Sequence, residues 1–264
     1  MKPSRERRVK TPDKVLSILR LFSVERPEWT VEAAATELNL AQATAYEYFR
    51  SLLNAELLAA RGQGRYAIGP AVFELDHLVR QSDPLLIYGE PAMERLVEHA
   101  PVNVMTLLCR FYRMKVMCVA QRGIGFPGIS VSYERGRLMP LLRGAASKVI
   151  LANVERRKAR RFYDDNCEEV AANGLGKSWE AFRSELRQIR EQPAFVTFGE
   201  LDHGLVGISA PIFGPDAAIQ GSVSYVVEAR HYQDGSLGSR QLKDQIARAG
   251  SALSQHLGFR STKA

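Results

Sequence analysis

Within about 70 residues the chain sets three helix-period apolar stripes in a row and follows them with two short strand-like runs around a glycine-rich tip. Few small folds use that order of parts. The first stripe covers residues 12–24, with Val15, Ile18, Leu19 and Phe22 at i, i+3, i+4 and i+7, the spacing of a core-facing helix. Pro27 and Trp29 interrupt it. Thr30 can then cap the Ala-rich "VEAAATELNL", whose Asn39 can take the left-handed conformation that ends a helix. In "AQATAYEYFRSLLNAELL" the third stripe is Ala45, Tyr48, Phe49 and Leu52. At about 100° per residue, Ala43, Tyr46, Glu47, Arg50 and Asn54 lie opposite it, with Gln42 at the N-terminal end. The next stretch, "LLAARGQGRYAIGP", reads as a hairpin of residues 57–60 and 65–68, its Gly-Gln-Gly tip flanked by Arg61 and Arg65.

Three helices, a tight second-to-third connection and a closing hairpin make a winged helix-turn-helix, whose third helix enters the major groove of double-stranded DNA while the wing follows the backbone. On that geometry Gln42, Ala43, Tyr46 and Glu47 face base edges. A glutamine can read adenine, a glutamate can accept from a cytosine amino group, and an alanine can pack on a thymine methyl. Thr44, Arg50, Arg61 and Arg65 are the expected backbone contacts. Glu47 is the odd member, an acid on the face that meets a polyanion. Three residues ahead of Arg50, it can orient that arginine and penalise indiscriminate phosphate binding.

Charge narrows the expectation. The chain carries +7, yet residues 1–82 hold 12 Lys+Arg against 10 Asp+Glu, while residues 1–10 alone hold five against one. The surplus is therefore a basic arm, with Arg5, Arg7, Arg8 and Lys10 available to the minor groove or to solvent. The run "ERRKARR" places five basic residues at positions 156–161, but a helix would spread them around its circumference, so it reads as solvated rather than as a second nucleic-acid site.

Residues 70–83, "PAVFELDHLVRQSD", form a linker helix with Pro70 at its first position and Pro84 beyond its end. From Pro84 the texture becomes α+β: helices over 87–99, 144–153, 156–164, 178–191 and 235–256, and strands over 102–109, 115–121, 128–132, 195–200, 204–213 and 219–227. No apolar run reaches the ~20 residues of a membrane span, and no secretory leader is evident, so a cytoplasmic protein with no membrane partner is expected. The three cysteines, Cys109, Cys118 and Cys167, form no C-x-x-C pair and are expected as buried free thiols. Neither a G-x-S-x-G elbow nor a phosphate-binding or dinucleotide loop is present, which argues against an enzyme and against a bound cofactor. The five histidines lack metal-ligand spacing, and His203 beside Glu200 and Asp202 has no second spaced ligand.

In the order of its parts the chain resembles the IclR-type transcriptional regulators over residues 11–258. The resemblance rests on "KVLSILRLF", the "T-x-E-x-A" helix ending in "LNL", the Thr44-containing third helix and "GRYAIGP", then "GAASKVILA", "HGLVGISAPIF" and "GSVSYVV". It implies a basic arm (1–10), a winged helix-turn-helix (11–69), a linker helix (70–83) and a GAF-like α/β effector and oligomerisation domain (84–258). It also implies a homodimer or dimer of dimers on a palindromic operator, controlled by a small-molecule effector. The family's pocket corresponds to Ala145 and Ala146 at a helix start, a place suited to a carboxylate, and to Thr197, Glu200, Gly207, Ser222 and Ser224. Thr197 and Gly207 stand where some members carry an aspartate and a cysteine, which implies a roomier, less acidic pocket; Arg143, turned inward, would favour an anion. The expected effector is an organic acid, with aromatic acids among the candidates, and the expected targets are catabolic genes. The competing expectation is a ligand-sensing or protein-interaction module with weak or lost DNA binding, which Glu47 favours.

Overall fold

The computed structural model describes residues 11–123, 125–126, 131–139 and 141–260. The chain divides into two compact units, Met1–Ser82 and Asp83–Ala264. The basic arm of residues 1–10 lies outside the described residues.

In the first unit the order is α1 (Thr11–Leu19), β1 (Trp29–Thr30), α2 (Val31–Glu37), α3 (Gln42–Asn54), β2 (Leu58–Gly62), β3 (Arg65–Ile68) and α4 (Ala71–Ser82). Ile18, Ala34, Ala45, Phe49, Leu52 and Leu58 form one core cluster, and the Phe49 ring meets Tyr66 edge-on at 5.1 Å between centroids. Tyr48 is half-buried against it. The Thr30 hydroxyl accepts from the Ala33 N–H at 3.2 Å, and Asn39 sits at φ 51°, so α2 starts and stops as its residues dictate.

Two features depart from the periodicity. First, α1 ends at Leu19, five residues short of the stripe, and Phe22 reaches the core from the loop. The loop is stabilised from within: the Trp29 indole N–H donates to the Leu21 carbonyl at 3.0 Å, and the Arg26 guanidinium lies 3.2 Å from the Trp29 ring centroid. Second, Trp29 does more than break a helix. It pairs with Tyr66 and Thr30 with Arg65, making a three-stranded sheet in the order β1-β3-β2. The wing turns through Gly62, Gln63 and Gly64, all at positive φ. None of the residues of α4 is buried, and Phe73 and Leu78 are 81% and 61% exposed.

The second unit contains α5 (Pro84–Glu98), β4 (Met105–Tyr112), β5 (Lys115–Gly123), β6 (Leu138–Met139), α6 (Ala145–Ala152), α7 (Arg156–Ala172), α8 (Trp179–Arg190), β7 (Phe195–Phe198), β8 (Leu205–Phe213), β9 (Ile219–Glu228) and α9 (Leu237–His256). Its antiparallel sheet runs β6-β5-β4-β9-β8-β7. Residues alternate across it: Leu107, Cys109 and Val226 belong to the core shared with α6 and α8, while Leu108, Val223, Tyr225 and Val227 belong to the core shared with α5 and α9. Gly250 lets α9 lie close to β8, since a Cβ there would stand 2.8 Å from the Pro211 carbonyl oxygen.

Several boundaries move. The strand expected at 102–109 begins at Met105 and continues to Tyr112. Of the strand expected at 128–132, residues 128–130 lie outside the described residues and Val131 and Ser132 are not in a strand; the edge is taken by β6. Beyond Asp164, α7 continues to Ala172 through a break at Asn166. Its basic run is offset locally by Arg160–Asp164, Arg161–Asp165 and Lys158–Glu155 pairs at 2.9, 3.8 and 3.5 Å, all exposed and individually weak. Cys109 and Cys118 are buried, as expected, but they are also cross-strand partners, and the hydrogen bond that the Cys109 thiol gives to Cys118, together with burial, holds the Cys109 pKa well up. Cys167, contrary to expectation, is exposed, because it lies on the outer side of α7 next to the break at Asn166.

Phe49 tests the first core directly. With its side chain 1% exposed, Phe49→Ala should cost about 3–5 kcal/mol. Urea unfolding followed by Trp29 fluorescence in a Trp179→Phe background measures this, and a loss below ~1 kcal/mol would contradict the packing.

Candidate DNA interface and effector pocket

Through the Leu40 N–H bond to the Ala35 carbonyl at 2.8 Å, the turn after α2 sets α3 at once against it. Ala45, Phe49 and Leu52 take the inner face of α3, leaving Gln42, Ala43, Tyr46, Glu47 and Arg50 exposed and Thr44 half-buried. The outer face is more acidic than α3 alone suggests. The Tyr46 hydroxyl donates to Glu32 Oε1 at 2.7 Å, and Gln42 Nε2 reaches the same oxygen at 3.5 Å. This bond lowers the Glu32 pKa and raises that of Tyr46. Glu47 forms an ion pair with Arg50. Glu32 is not legible as a neighbour of Tyr46 in the sequence, since it lies on α2, 14 residues before it, and only the packing of the two helices brings them together. Both wing arginines are exposed, and the Arg65 guanidinium lies 3.5 Å from the Glu28 carboxylate.

The second site lies between the start of α6 and the sheet. Gly144 precedes α6 at φ 81°, and a Cβ on it would meet the Leu201 side chain at 2.5 Å and the Tyr133 hydroxyl at 2.9 Å. Ala145, Ala146, Thr197, Glu200, Gly207 and Ser224 line a small hollow here together with Tyr133, Leu201 and Ser209. Ser222 is not among the lining residues; it is buried and donates to the Ala146 carbonyl at 3.5 Å. Ser224 is paired as well, its Oγ 2.6 Å from that of Ser209 on the neighbouring strand. Ser209 is not legible in the sequence as a partner of the serines on β9, because that pairing depends on strand register.

The expectation of a roomier pocket is not met. The hollow holds about 30 Å³ of free space, room for one or two waters. Gly207 does not open a void because α6 closes over it: a Cβ on Gly207 would lie 3.3 Å from the Ala145 Cβ and 3.4 Å from Thr197 Oγ1. Nor is the helix start open. Glu200 Oε2 accepts from the Gly144 N–H at 2.9 Å, and Oε1 lies 2.6 Å from Lys148 Nζ. Arg143 remains exposed, and its guanidinium donates to the Glu200 carbonyl at 2.9 Å instead of turning inward. Asp202 is occupied too, accepting from the Ser132 N–H at 2.9 Å and from the Ser132 hydroxyl. Two hydroxyls, those of Tyr133 and Ser147, are buried without a hydrogen-bond partner among the described residues. Burial pushes the Tyr133 pKa up, so the phenol stays protonated and able to donate. Among the described residues no cluster of His, Cys, Asp or Glu could hold a metal ion, and no helix is long and apolar enough to cross a membrane.

Comparison with known proteins gives concordant matches for both units. Residues 11–62 match the IclR helix-turn-helix domain, and residues 114–255, more than half of the chain, match the C-terminal domain of bacterial IclR transcriptional regulators. Over 232 residues the chain is 25% identical to a probable HTH-type transcriptional regulator, ArcR, of Halobacterium salinarum, covering 84% of this chain and 87% of that one. It is 22% identical over 201 residues to the Pca regulon regulatory protein of Pseudomonas putida, covering 75% and 67%. Among solved structures, an IclR homologue from Microbacterium hydrocarbonoxydans in complex with 4-hydroxybenzoate is similar with a TM-score of 0.71 at 18% identity, over 94% of this chain and 99% of that one. With its helix-turn-helix domain ahead of a C-terminal effector domain, the chain belongs to the IclR family of transcriptional regulators.

Proposed function

We propose that this chain is a sequence-specific regulator that binds a palindromic operator through paired winged helices and is controlled by a small organic acid. The single observation that carries the choice of effector is the start of α6, where the Gly144 N–H and buried Lys148 already accommodate a carboxylate, that of Glu200. An aromatic body on that acid, and control of catabolic genes, draw support from the 4-hydroxybenzoate complex of a structural relative and from likeness to a Pca regulon regulator. A cytoplasmic location accords with binding of chromosomal DNA. In the proposed arrangement residues 11–69 bind DNA, residues 70–83 link, and residues 84–258 bind effector and oligomerise.

For DNA, Gln42, Ala43, Tyr46 and Glu47 face base edges, and Thr44, Arg50, Arg61 and Arg65 touch the backbone. Besides the oligomerising residues 84–258, two copies also meet along α4, whose Val72, Phe73, Leu75, Leu78 and Val79 are exposed in the single chain. The competing reading, a sensor with weak or lost DNA binding, is favoured by the two carboxylates of Glu32 and Glu47 on the reading face; failure of the intact protein to prefer its own upstream DNA over random duplex at moderate salt decides for it.

Three outcomes check the proposal. Arg61→Ala or Arg65→Ala should weaken binding to all sequences and reduce the salt slope by about one each, whereas Gln42→Ala should change base preference at a fixed position; fluorescence anisotropy across salt and a sequence library separates the two effects. Phe73→Glu with Leu78→Glu should shift sedimentation toward the monomer, and an unchanged oligomer would remove α4 from the interface. In a thermal-shift screen, organic acids should stabilise the protein and their neutral analogues should not, a ligand at about 100 times its Kd adding roughly 2.7 kcal/mol.

A further inference from the structure

The donors at the start of α6 outnumber the acceptors that reach them. The first intrahelical bond runs from the Lys148 N–H to the Gly144 carbonyl at 3.0 Å, so the N–H groups of Ala145, Ala146 and Ser147 have no helical partner. Beside them stand the hydroxyls of Tyr133 and Ser147, 94% and fully buried and without partners among the described residues. The Tyr133 hydroxyl would stand 2.9 Å from a Cβ placed on Gly144, so it lies beside the start of the helix. Glu200 serves only the outer part of this set. Its carboxylate takes the Gly144 N–H and the Lys148 ammonium, from a side chain still 28% exposed.

We propose that Glu200 is an internal stand-in for the effector: its carboxylate holds the anion seat at α6, and an effector binds by displacing it and also engaging the Tyr133 and Ser147 hydroxyls. This rests on the effector reading given above. The exchange has a physical logic in Lys148, whose side chain is 9% exposed and has Glu200 as its ion-pair partner. Separating a buried ammonium from its counter-ion is strongly unfavourable, so the seat can be vacated only in favour of another anion. A carboxylate satisfies that condition, while an amide or alcohol of the same shape leaves the ammonium alone. The pocket therefore selects carboxylates by what displacement would leave behind, in addition to what the ligand touches.

The stand-in also sets sensitivity. Where the binding-competent state is a small fraction of the population, the apparent Kd rises by the inverse of that fraction, about 100-fold if Glu200 holds the seat 99% of the time. It links the pocket to its surroundings as well, because Arg143 grips the carbonyl of Glu200 itself and Asp202, two residues on, is bonded to Ser132. Releasing Glu200 thus perturbs a loop joined to the residue before Tyr133.

The experiment uses full-length protein, with benzoate and acetate as carboxylate probes and benzamide and acetamide as neutral ones. By titration calorimetry Glu200→Gln, which keeps an acceptor for the Gly144 N–H but loses the charge, should bind benzoate at least ~10-fold more tightly than the wild type, with no gain for benzamide. Glu200→Ala should have a lowered Tm that acetate restores and acetamide does not, while the wild type, its seat held by Glu200, responds less to the same acetate concentration. Loss of the acetate response in Glu200→Ala with Lys148→Met would support the pairing described. Benzoate affinities within twofold for wild type and Glu200→Gln would overturn the inference and leave the effector reading standing. Acetate rescue without benzoate binding to any form would support the seat and defeat an aromatic effector. Indifference of every form to every carboxylate would defeat both.

Discussion

β9 must satisfy two helical layers at once, and the second unit is organised around that requirement. It lies between β4 and β8, with every residue from Gly221 to Val227 buried. Val223, Tyr225 and Val227 fill the core beneath α5 and α9. Ser222, Ser224 and Val226 face the α6 side, and Ser224 and Val226 line the hollow there. Small hydroxyls are tolerated there because both are paired, Ser224 with Ser209 and Ser222 with the Ala146 carbonyl. A buried hydroxyl left unpaired would cost about 1–3 kcal/mol. Gly221 completes the fit, since a Cβ on it would stand 1.9 Å from the Cys109 carbonyl oxygen of the adjacent strand.

With the sheet fixed, the start of α6 becomes the chemically distinctive place in the unit. A helix N-terminus, a buried ammonium and two buried hydroxyls make a local excess of hydrogen-bond donors and positive charge, which attracts a carboxylate from any source. The nearest source is the loop after β7. Glu200 meets both Gly144 and Lys148 from 56 and 52 residues away in sequence, so the seat is served by the chain itself.

The first unit repeats the theme on an exposed surface. Glu32 engages Tyr46 and Gln42, and Glu47 engages Arg50, so outward-facing residues of α3 are held by carboxylates, with which DNA would have to compete in the proposed interface. Exposed pairs of this kind contribute little to stability. In the proposed interface their effect would fall on discrimination, because a base edge that replaces the lost partner would be accepted and a bare phosphate would add repulsion.

Much of the fold was legible in the residues. Helix and strand periods placed α2, α3, the wing, α6, α8 and the last three strands to within a few residues, since each depends on neighbours at short range: Thr30 at the start of α2, Ser178 at the start of α8, and alternation along β9. Trp29 as a strand, Phe22 outside its helix and β6 as the sheet edge were not legible, because pairing partners decided them. The sites divide along the same line. Sequence alone determined that α3 would turn Gln42, Ala43, Tyr46, Glu47 and Arg50 outward and that Ala145 and Ala146 would open a helix, both consequences of local backbone geometry. Tertiary structure alone decided that Glu32 would reach Tyr46, that Ser209 would face Ser224, that the space beside Gly207 would close, and that Glu200 would sit where an effector carboxylate was expected. Those outcomes turn on which charges and hydroxyls the packed chain brings within 3 Å of one another, and no spacing along the sequence encodes that distance.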